Sequence, residues 1–278
     1  MKANQIKKLR QIAVQVAKEA GILVLKHFNK PHHIEKKDIF DLVTEVDKAA
    51  NTFITKKLLT LWPNSVMMAE EDNPDIQAVL KNARAGDIMW IIDPIDGTTN
   101  YAKAVPHAAI SIAAFDVAKK RLVAGAVYDP FRKECFSAAV GHGAFLNRQR
   151  IQVTDISKLE DALIATGLCY KKSAGLDNNL AEISLFFSNC LGLRRFGAAS
   201  LDLAWVALGR LDAYWEKDLK PWDIAAGMLL VTEAKGSLSN YQGEILDPFL
   251  GVVVASNGHL HHDFIQLLQK ARRDAGLS

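Results

Sequence analysis

The sequence Trp90-Ile91-Ile92-Asp93-Pro94-Ile95-Asp96-Gly97-Thr98-Thr99-Asn100-Tyr101 runs from an apolar segment into two acids three residues apart, then into a glycine and a hydroxyl. The apolar part predicts a buried strand that ends in Asp93, with Pro94 forcing a turn. Two carboxylates and the Ile95 carbonyl would then converge at a strand end, where leaving them unpaired is costly. A hard divalent cation resolves that cost. Magnesium takes oxygen ligands in near-octahedral geometry and keeps water positions for an incoming phosphate. Gly97 and Thr98 stand where a helix could begin, and exposed N–H groups at such a start can cradle an anion. Alone, the segment is equally a strand, a turn and an Asp cap.

Three further segments carry acids at strand ends or helix starts. Glu70-Glu71-Asp72 follows the apolar run Val66 to Ala69; a solvated acidic surface would read the same way. In Asp41-Leu42-Val43-Thr44-Glu45-Val46-Asp47, capping accounts for Asp41 and Thr44. Lys220-Pro221-Trp222-Asp223 introduces a helix, with Asp223 in the place of an ordinary N-cap. Together the four segments favour a polynuclear magnesium site.

Outward from these segments, apolar residues Ile6, Leu9, Ala13, Val16, Ala17, Ala20 and Val24 recur at helical steps and predict a long amphipathic helix ended by Pro31. A second helix is expected from about Glu45 to Leu61. From Asp87, short apolar runs at Ile88–Ile92, Ala108–Phe115, Leu122–Val127 and Phe136–Val140 predict a meander of strands. After about Ile151, strands at Leu163–Thr166, Leu211–Trp215 and Val252–Ala255 alternate with helices near 180–191, 201–208, 224–231 and 264–268. The expectation is an α+β first half, residues 1–150, with an antiparallel sheet and most of the acids, packed on an α/β second half, residues 151–278.

The bulk properties fit this reading. The chain has 278 residues, 49% hydrophobic and 23% charged, with a net charge of +3, which is the profile of a globular protein with no electrostatic case for nucleic acid or acidic membrane. Cys135, Cys169 and Cys190 are far apart, so neither a zinc site nor a disulfide framework is indicated, and a reduced cytoplasmic setting is expected. There is no signal-peptide core and no membrane span. His32, His33, His107, His259, His261 and His262 are read as structural, since no acid cluster joins them.

In this order, the Asp-x-Val-Thr-x-x-Asp stretch, the Glu-Glu pair, the Asp-Pro-Ile-Asp-Gly-Thr-Thr-Asn core and the late Trp-Asp-x-Ala-Ala-Gly helix start resemble the inositol monophosphatase family over nearly the entire chain, in its bacterial branch. The resemblance implies the layered αβαβα sugar-phosphatase fold and two to three magnesium ions. It implies that Glu70, Asp93 and the Ile95 carbonyl hold a first metal, Asp93, Asp96 and Asp223 a second, and Glu70 a weaker third. Gly97 and Thr98 would hold phosphate, with Asp96 and Asp223 at its edge, while Gly197, Ala198, Ala199 and Glu216 would line the polyol site. Asp47 would orient Thr98 beside a water that Glu70 and Thr98 align for direct attack on phosphorus. Lys36-Lys37-Asp38 is expected in a loop after Pro31. Two positions depart from the family pattern: Ala198, where Ser or Thr is usual, and Lys235-Gly236, where Gly-Gly is usual. The first removes a hydroxyl near the substrate and bears on polyol preference.

The activity implied is hydrolysis of a small polyol phosphate, first of all inositol monophosphate, by a lithium-sensitive homodimer. Sugar bisphosphates such as fructose 1,6-bisphosphate, histidinol phosphate and nucleotide 3′-phosphates are the alternatives within the class. Outside it stands a binding role in a bacterial transcription complex. Arg194-Arg195 could serve that role, but the residues themselves give no support for association with nucleic acid or RNA polymerase.

Overall fold

Helix α1, Ala3–His27, forms because its helically spaced apolar residues share one face, and all of them are buried. It stops before Pro31, at His27, where the Phe28 N–H turns back onto Val24 and Leu25. The computed structural model describes residues 1–30, 34–38, 41–168 and 177–277; Pro31, His32, His33 and Cys169 lie outside the described residues. Strands β1, Ile34–Asp38, and β2, Asp41–Thr44, pair as an antiparallel ribbon. Lys36–Asp38 is therefore strand rather than loop, and Asp41 opens β2 rather than capping a helix. The cap of α2, Glu45–Leu61, is Thr44, whose hydroxyl accepts the Val46 and Asp47 N–H groups.

Next come β3, Val66–Ala69; a 3-10 turn, Glu70–Asp72; and α3, Ile76–Asn82. Then β4, Ile88–Asp96, leads through the short α4, Thr98–Ala102, to β5, Ala109–Asp116. The meander continues as β6, Arg121–Asp129, β7, Glu134–Ala139, β8, Gly143–Leu146, and β9, Gln149–Ile151. These seven strands form one sheet in the order β3-β4-β5-β6-β7-β8-β9. Its pairs are antiparallel except β3 with β4.

The remaining elements are β10, Leu163–Thr166; α5, Leu180–Phe187; β11, Gly192–Arg194; α6, Ala199–Leu208; and β12, Ala213–Lys217. They are followed by α7, Pro221–Glu233; β13, Ser237–Ser239; β14, Val252–Ser256; and α8, His261–Asp274. Five strands build a mixed sheet, β11-β10-β12-β14-β13, parallel around β10 and antiparallel around β14.

Helices α6 and α7 are apolar on almost every side, a pattern that calls for burial all round. They lie between the two sheets, and the largest apolar cluster joins Ile91, Val127 and Phe136 of the first sheet to Leu203, Leu230 and Val253 beyond residue 150. Gly227 lets the two helices touch, since a Cβ there would stand 2.5 Å from Leu203 Cβ. Helices α1 and α2 cover the outer face of the seven-stranded sheet, and α5 and α8 that of the five-stranded one. The layers are αβαβα, as the resemblance implied.

Candidate active site

Strand β4 does not end at Asp93. Its pairing with β5 places Asp93 opposite Ser111 and Asp96 opposite Ala109, so three steps on one strand match two on the other. This is a bulge, and Pro94 sits inside it, where its missing N–H interrupts no ladder. The Ile95 N–H turns onto Asp93 Oδ1 at 3.0 Å. Because β3 runs parallel to β4 with Ala69 opposite Ile92, Glu70 emerges beside Asp93. Asp223 arrives from α7, where it is the third helical residue rather than the N-cap. Lys220 is the N-cap, Pro221 follows it, and the Lys220 N–H donates to Asp223 Oδ2 at 2.6 Å.

Asp96 connects the two sheets' helices. Its Oδ2 accepts the Ser200 N–H at 2.8 Å and the Ser200 hydroxyl at 2.5 Å. The backbone N–H groups of Ala199 and Leu201 lie toward the same carboxylate and help keep it ionised. The N-cap of α6 is Ala198, which has no side chain to offer, so Asp96 caps that helix from another element. Ser200 was not singled out from the sequence; a hydroxyl in the first turn of an uncapped helix is the signal that could have found it.

Thr98 Oγ1 donates between Asp47 Oδ1 at 3.1 Å and the Ile95 carbonyl at 2.9 Å. Asp47 is fully buried, and its other oxygen receives the Thr44 N–H at 2.9 Å together with the Thr44 hydroxyl. Burial raises Asp47 to about 6, opposed by those Thr44 bonds.

The four acids stand close enough to repel one another. Burial, then Glu70, Asp96 and Asp223, push Asp93 well above the usual carboxylate range. Burial, then Glu70 and Asp96, do the same to Asp223. Asp96 is raised to about 6 by burial, with the donors from Ser200, Ala199 and Leu201 holding it down. Among the described residues no three acid, histidine or cysteine side chains have their ligating atoms gathered about one point. Asp93, Asp96 and Asp223 each accept a backbone N–H on one carboxylate oxygen. Mutually repelling, buried, all-oxygen donors are the set that a hard divalent cation neutralises, so the residues fit magnesium.

On the far side of Gly97 lie the expected polyol positions. Gly97 has φ +89°, and a Cβ there would approach Gly197 O to 3.2 Å and Ala198 Cβ to 3.3 Å. Asn100 Nδ2 fastens this contact by donating to the Phe196 carbonyl at 2.8 Å and the His107 carbonyl at 3.0 Å. Glu216, buried at the end of β12, receives the Tyr214 hydroxyl. Burial raises it to about 7, opposed by that hydroxyl and by Arg195. The buried Asp202 is raised by burial and then by Glu216 and Asp96, so it belongs to the same polar region. Asp202, Tyr214 and Asn100 were not foreseen.

The described histidines singled out from the sequence lie elsewhere. His107 packs between Phe196 and Trp205, and burial lowers it to about 4. His261 is bonded to Ser256 and Ser239, and His262 to Gln266, while His259 is 3.8 Å from Asp155.

The αβαβα sandwich thus brings the buried carboxylates of β4 and α7 into one region with Glu70 and the serine-bearing start of α6. The model of the inositol monophosphatase family matches residues 5–273, and the chain belongs to that family. It is 42% identical over 252 residues to the Nus factor SuhB of Pseudomonas aeruginosa, covering 88% of this chain and 90% of that protein. It is 38% identical over 266 residues to an inositol-1-monophosphatase of Synechocystis, covering 93% and 88%. The solved inositol monophosphatase of Anabaena superposes with a TM-score of 0.85 at 33% identity, over 96% of this chain and 97% of that one. No helix among the described residues is long and apolar enough to cross a membrane.

Proposed function

We propose that this phosphatase is magnesium-dependent and hydrolyses the phosphate monoester of a small polyol, with inositol monophosphate as the first candidate. The observation that supports the reading is that Glu70, Asp93, Asp96 and Asp223 lie near enough to repel one another in a buried region next to the Thr98–Asp47 pair, inside the family's fold. Glu70, Asp93, the Ile95 carbonyl, Asp96 and Asp223 would hold two to three ions. Bound magnesium supplies charge neutralisation at the phosphate oxygens and acidifies water.

Phosphate monoesters are among the slowest esters to hydrolyse unaided, so the residues must position water and phosphate closely. Thr98 has given its proton to Asp47 and Ile95, which leaves its oxygen lone pairs to accept from a water. Asp47 fixes that orientation, and Glu70 takes the second proton direction of the same water. Gly97, whose missing side chain lets Gly197 and Ala198 pack against it, would offer phosphate its backbone N–H at the start of α4. Asp96 holds the α6 start against the site, so Gly197, Ala198, Ala199 and Glu216 meet the polyol hydroxyls. The water attacks phosphorus, keeping one proton on the phosphate and releasing the other to solvent, while the polyol oxygen leaves with the bond electrons and takes a proton from solvent; no covalent enzyme intermediate forms. The family's pattern also favours a homodimer and lithium sensitivity, and the free Cys135 and Cys190 suit a reducing cytoplasm.

Phosphate release from inositol, glycerol, fructose bisphosphate and nucleotide 3′-phosphates, with magnesium and then with chelator, tests the proposal. Chelator-sensitive turnover with inositol phosphate preferred supports it. Turnover that survives chelation overturns the metal assignment, and preference for another ester overturns the substrate.

A second reading rests on one observation, the relatives bearing the name Nus factor SuhB. We propose that the chain also binds a transcription complex, with the exposed Arg194 and Arg195 as the contact. Recovery of no RNA polymerase or RNA by the tagged protein from lysate at low salt would count against it.

A further inference from the structure

Near Glu216 the structure holds a largely buried ionic network that the reaction does not use. Its centre is Arg272, on the C-terminal helix α8 and only 7% exposed. Its Nη2 reaches Asp177 Oδ2 at 2.6 Å, its Nη1 reaches the fully buried Glu182 Oε1 at 2.9 Å, and its guanidinium lies 5.0 Å from the Tyr241 ring centre. Asp177 is also paired with Lys217, the residue after Glu216 on β12. The Tyr241 hydroxyl donates to Asn179 Oδ1 at 2.8 Å, and Asn179 Nδ2 donates to the Gly167 carbonyl at 2.9 Å.

Gly167 is the far end of this chain of contacts and the wall behind Glu216. A Cβ there would stand 1.8 Å from the Glu216 carboxyl carbon and 1.9 Å from each of its oxygens. Glu216 is thus seated against bare backbone, and that backbone is tied through Asn179 and Tyr241 to Arg272. The adjoining residue Lys217 is tied to the same arginine through Asp177. Two routes lead from α8 to Glu216, one to the bare backbone against its carboxylate and one, ionic, to the next residue of its strand.

A guanidinium suits this task because its fork serves two carboxylates and its flat face meets an aromatic ring at once. Burying Arg272 with Glu182 is a poor route to stability compared with apolar packing of equal volume. The network has instead the form of a positioning device, in which groups that touch the ligand are locked by a second set behind them. From this juxtaposition we infer that Arg272 is a positioning residue for substrate discrimination, holding Glu216 in place through Asp177–Lys217 and Tyr241–Asn179–Gly167. The inference rests on the reading of Glu216 as a polyol contact.

The test is steady-state kinetics on the panel ester turned over fastest and on p-nitrophenyl phosphate, which has no polyol hydroxyls. The variants are R272K, the charge-neutral pair R272M/E182Q, which keeps the buried volume without an orphaned charge, E216Q, and each Arg272 change combined with E216Q. The expected result for R272M/E182Q is a KM for the polyol ester raised by about fivefold or more, kcat little changed, and KM for p-nitrophenyl phosphate unmoved. R272K should fall between it and wild type. In the E216Q background the Arg272 changes should add nothing further to KM, because the carboxylate they position is gone. If E216Q raises KM but the Arg272 changes lower kcat equally on both esters, or add in full to E216Q, the positioning role is wrong. A KM in E216Q equal to wild type, or no turnover of any panel ester, removes the reading of the site itself and overturns the inference with it.

Discussion

Ser200 gives both its backbone N–H and its hydroxyl to one oxygen of Asp96, at 2.8 and 2.5 Å, across 104 residues of sequence. This pair makes a strand-end acid of the first sheet into the cap of a helix that packs against the second. Ser200→Ala keeps the N–H bond and removes the hydroxyl, so the fold should survive. The magnesium concentration for half-maximal activity is expected to rise by about tenfold, the usual scale for losing a partner that orients a ligand. A magnesium titration identical to wild type would sink this assignment.

Thr98→Ala removes the hydroxyl that joins Asp47 to the Ile95 carbonyl. The loss should fall on kcat, by about a hundredfold, with KM changed far less, because phosphate contacts through Gly97 and the metals persist. Asp47→Asn should act in the same direction, and the double variant should be no worse than the poorer single one. Additive losses in that double-variant cycle would show that the two residues act separately.

Asp93→Asn should nearly abolish turnover. It should also leave the metal-free protein no less stable, since it removes one of several buried charges that repel each other. At saturating magnesium the wild-type protein should gain roughly 5 °C or more in Tm, from about 3 kcal/mol of linkage, and the variant little or none. Equal magnesium-induced shifts in calorimetry would contradict the central place given to Asp93.

His261 links β13 to β14 through Ser239 and Ser256, at 3.0 and 2.9 Å. Ser239 donates its own proton to the Asn240 carbonyl, so it accepts from Nε2–H, and Nδ1 accepts from Ser256. Burial lowers His261 from its ordinary 6.5, which means the folded state prefers the neutral ring. The stability this supplies is full above pH 6.5 and is lost as pH falls from there toward the lowered folded value. His261→Gln should flatten that part of the pH–stability curve and cost about 1–2 kcal/mol at neutral pH. Denaturation midpoints measured across pH 5–8 check this; an unchanged slope in the variant would refute it.

Ala198→Ser restores a hydroxyl at the N-cap of α6. A serine cap is ordinarily worth about 1 kcal/mol. The gain here should be smaller, because Asp96 already accepts the Ser200 N–H of the first turn. The expected change is in the ratio of KM values among polyol phosphates rather than in stability. An unaltered ratio across the panel would separate Ala198 from substrate preference.

Much of this protein can be read along the chain. The amphipathic period from Ile6 to Val24, the meander after Asp87 and the alternation after Ile151 follow from local rules, because which face is apolar is a property of consecutive residues. The identities of the acids were legible for the same reason, since each stands at the edge of an apolar run. The exact end of β4 was not. Pro94 reads as a terminator locally, and only pairing with β5 reveals that a bulge carries the strand on to Asp96. The β1–β2 ribbon was missed because Lys36-Lys37-Asp38 has no alternation to mark a strand.

What the sequence by itself determined is therefore the set of elements and the donor types: oxygen-rich, glycine-spaced and placed at the ends of apolar runs. The tertiary structure decided that Asp96 of β4 caps α6 where Ala198 has no polar side chain, and that the contacts around Arg272 on α8 reach the backbone against Glu216. Those facts depend on pairs of residues about a hundred positions apart or held by packing between separate layers. Local propensity acts over a few bonds, whereas a buried charge takes its partner from whatever the closed core brings within reach.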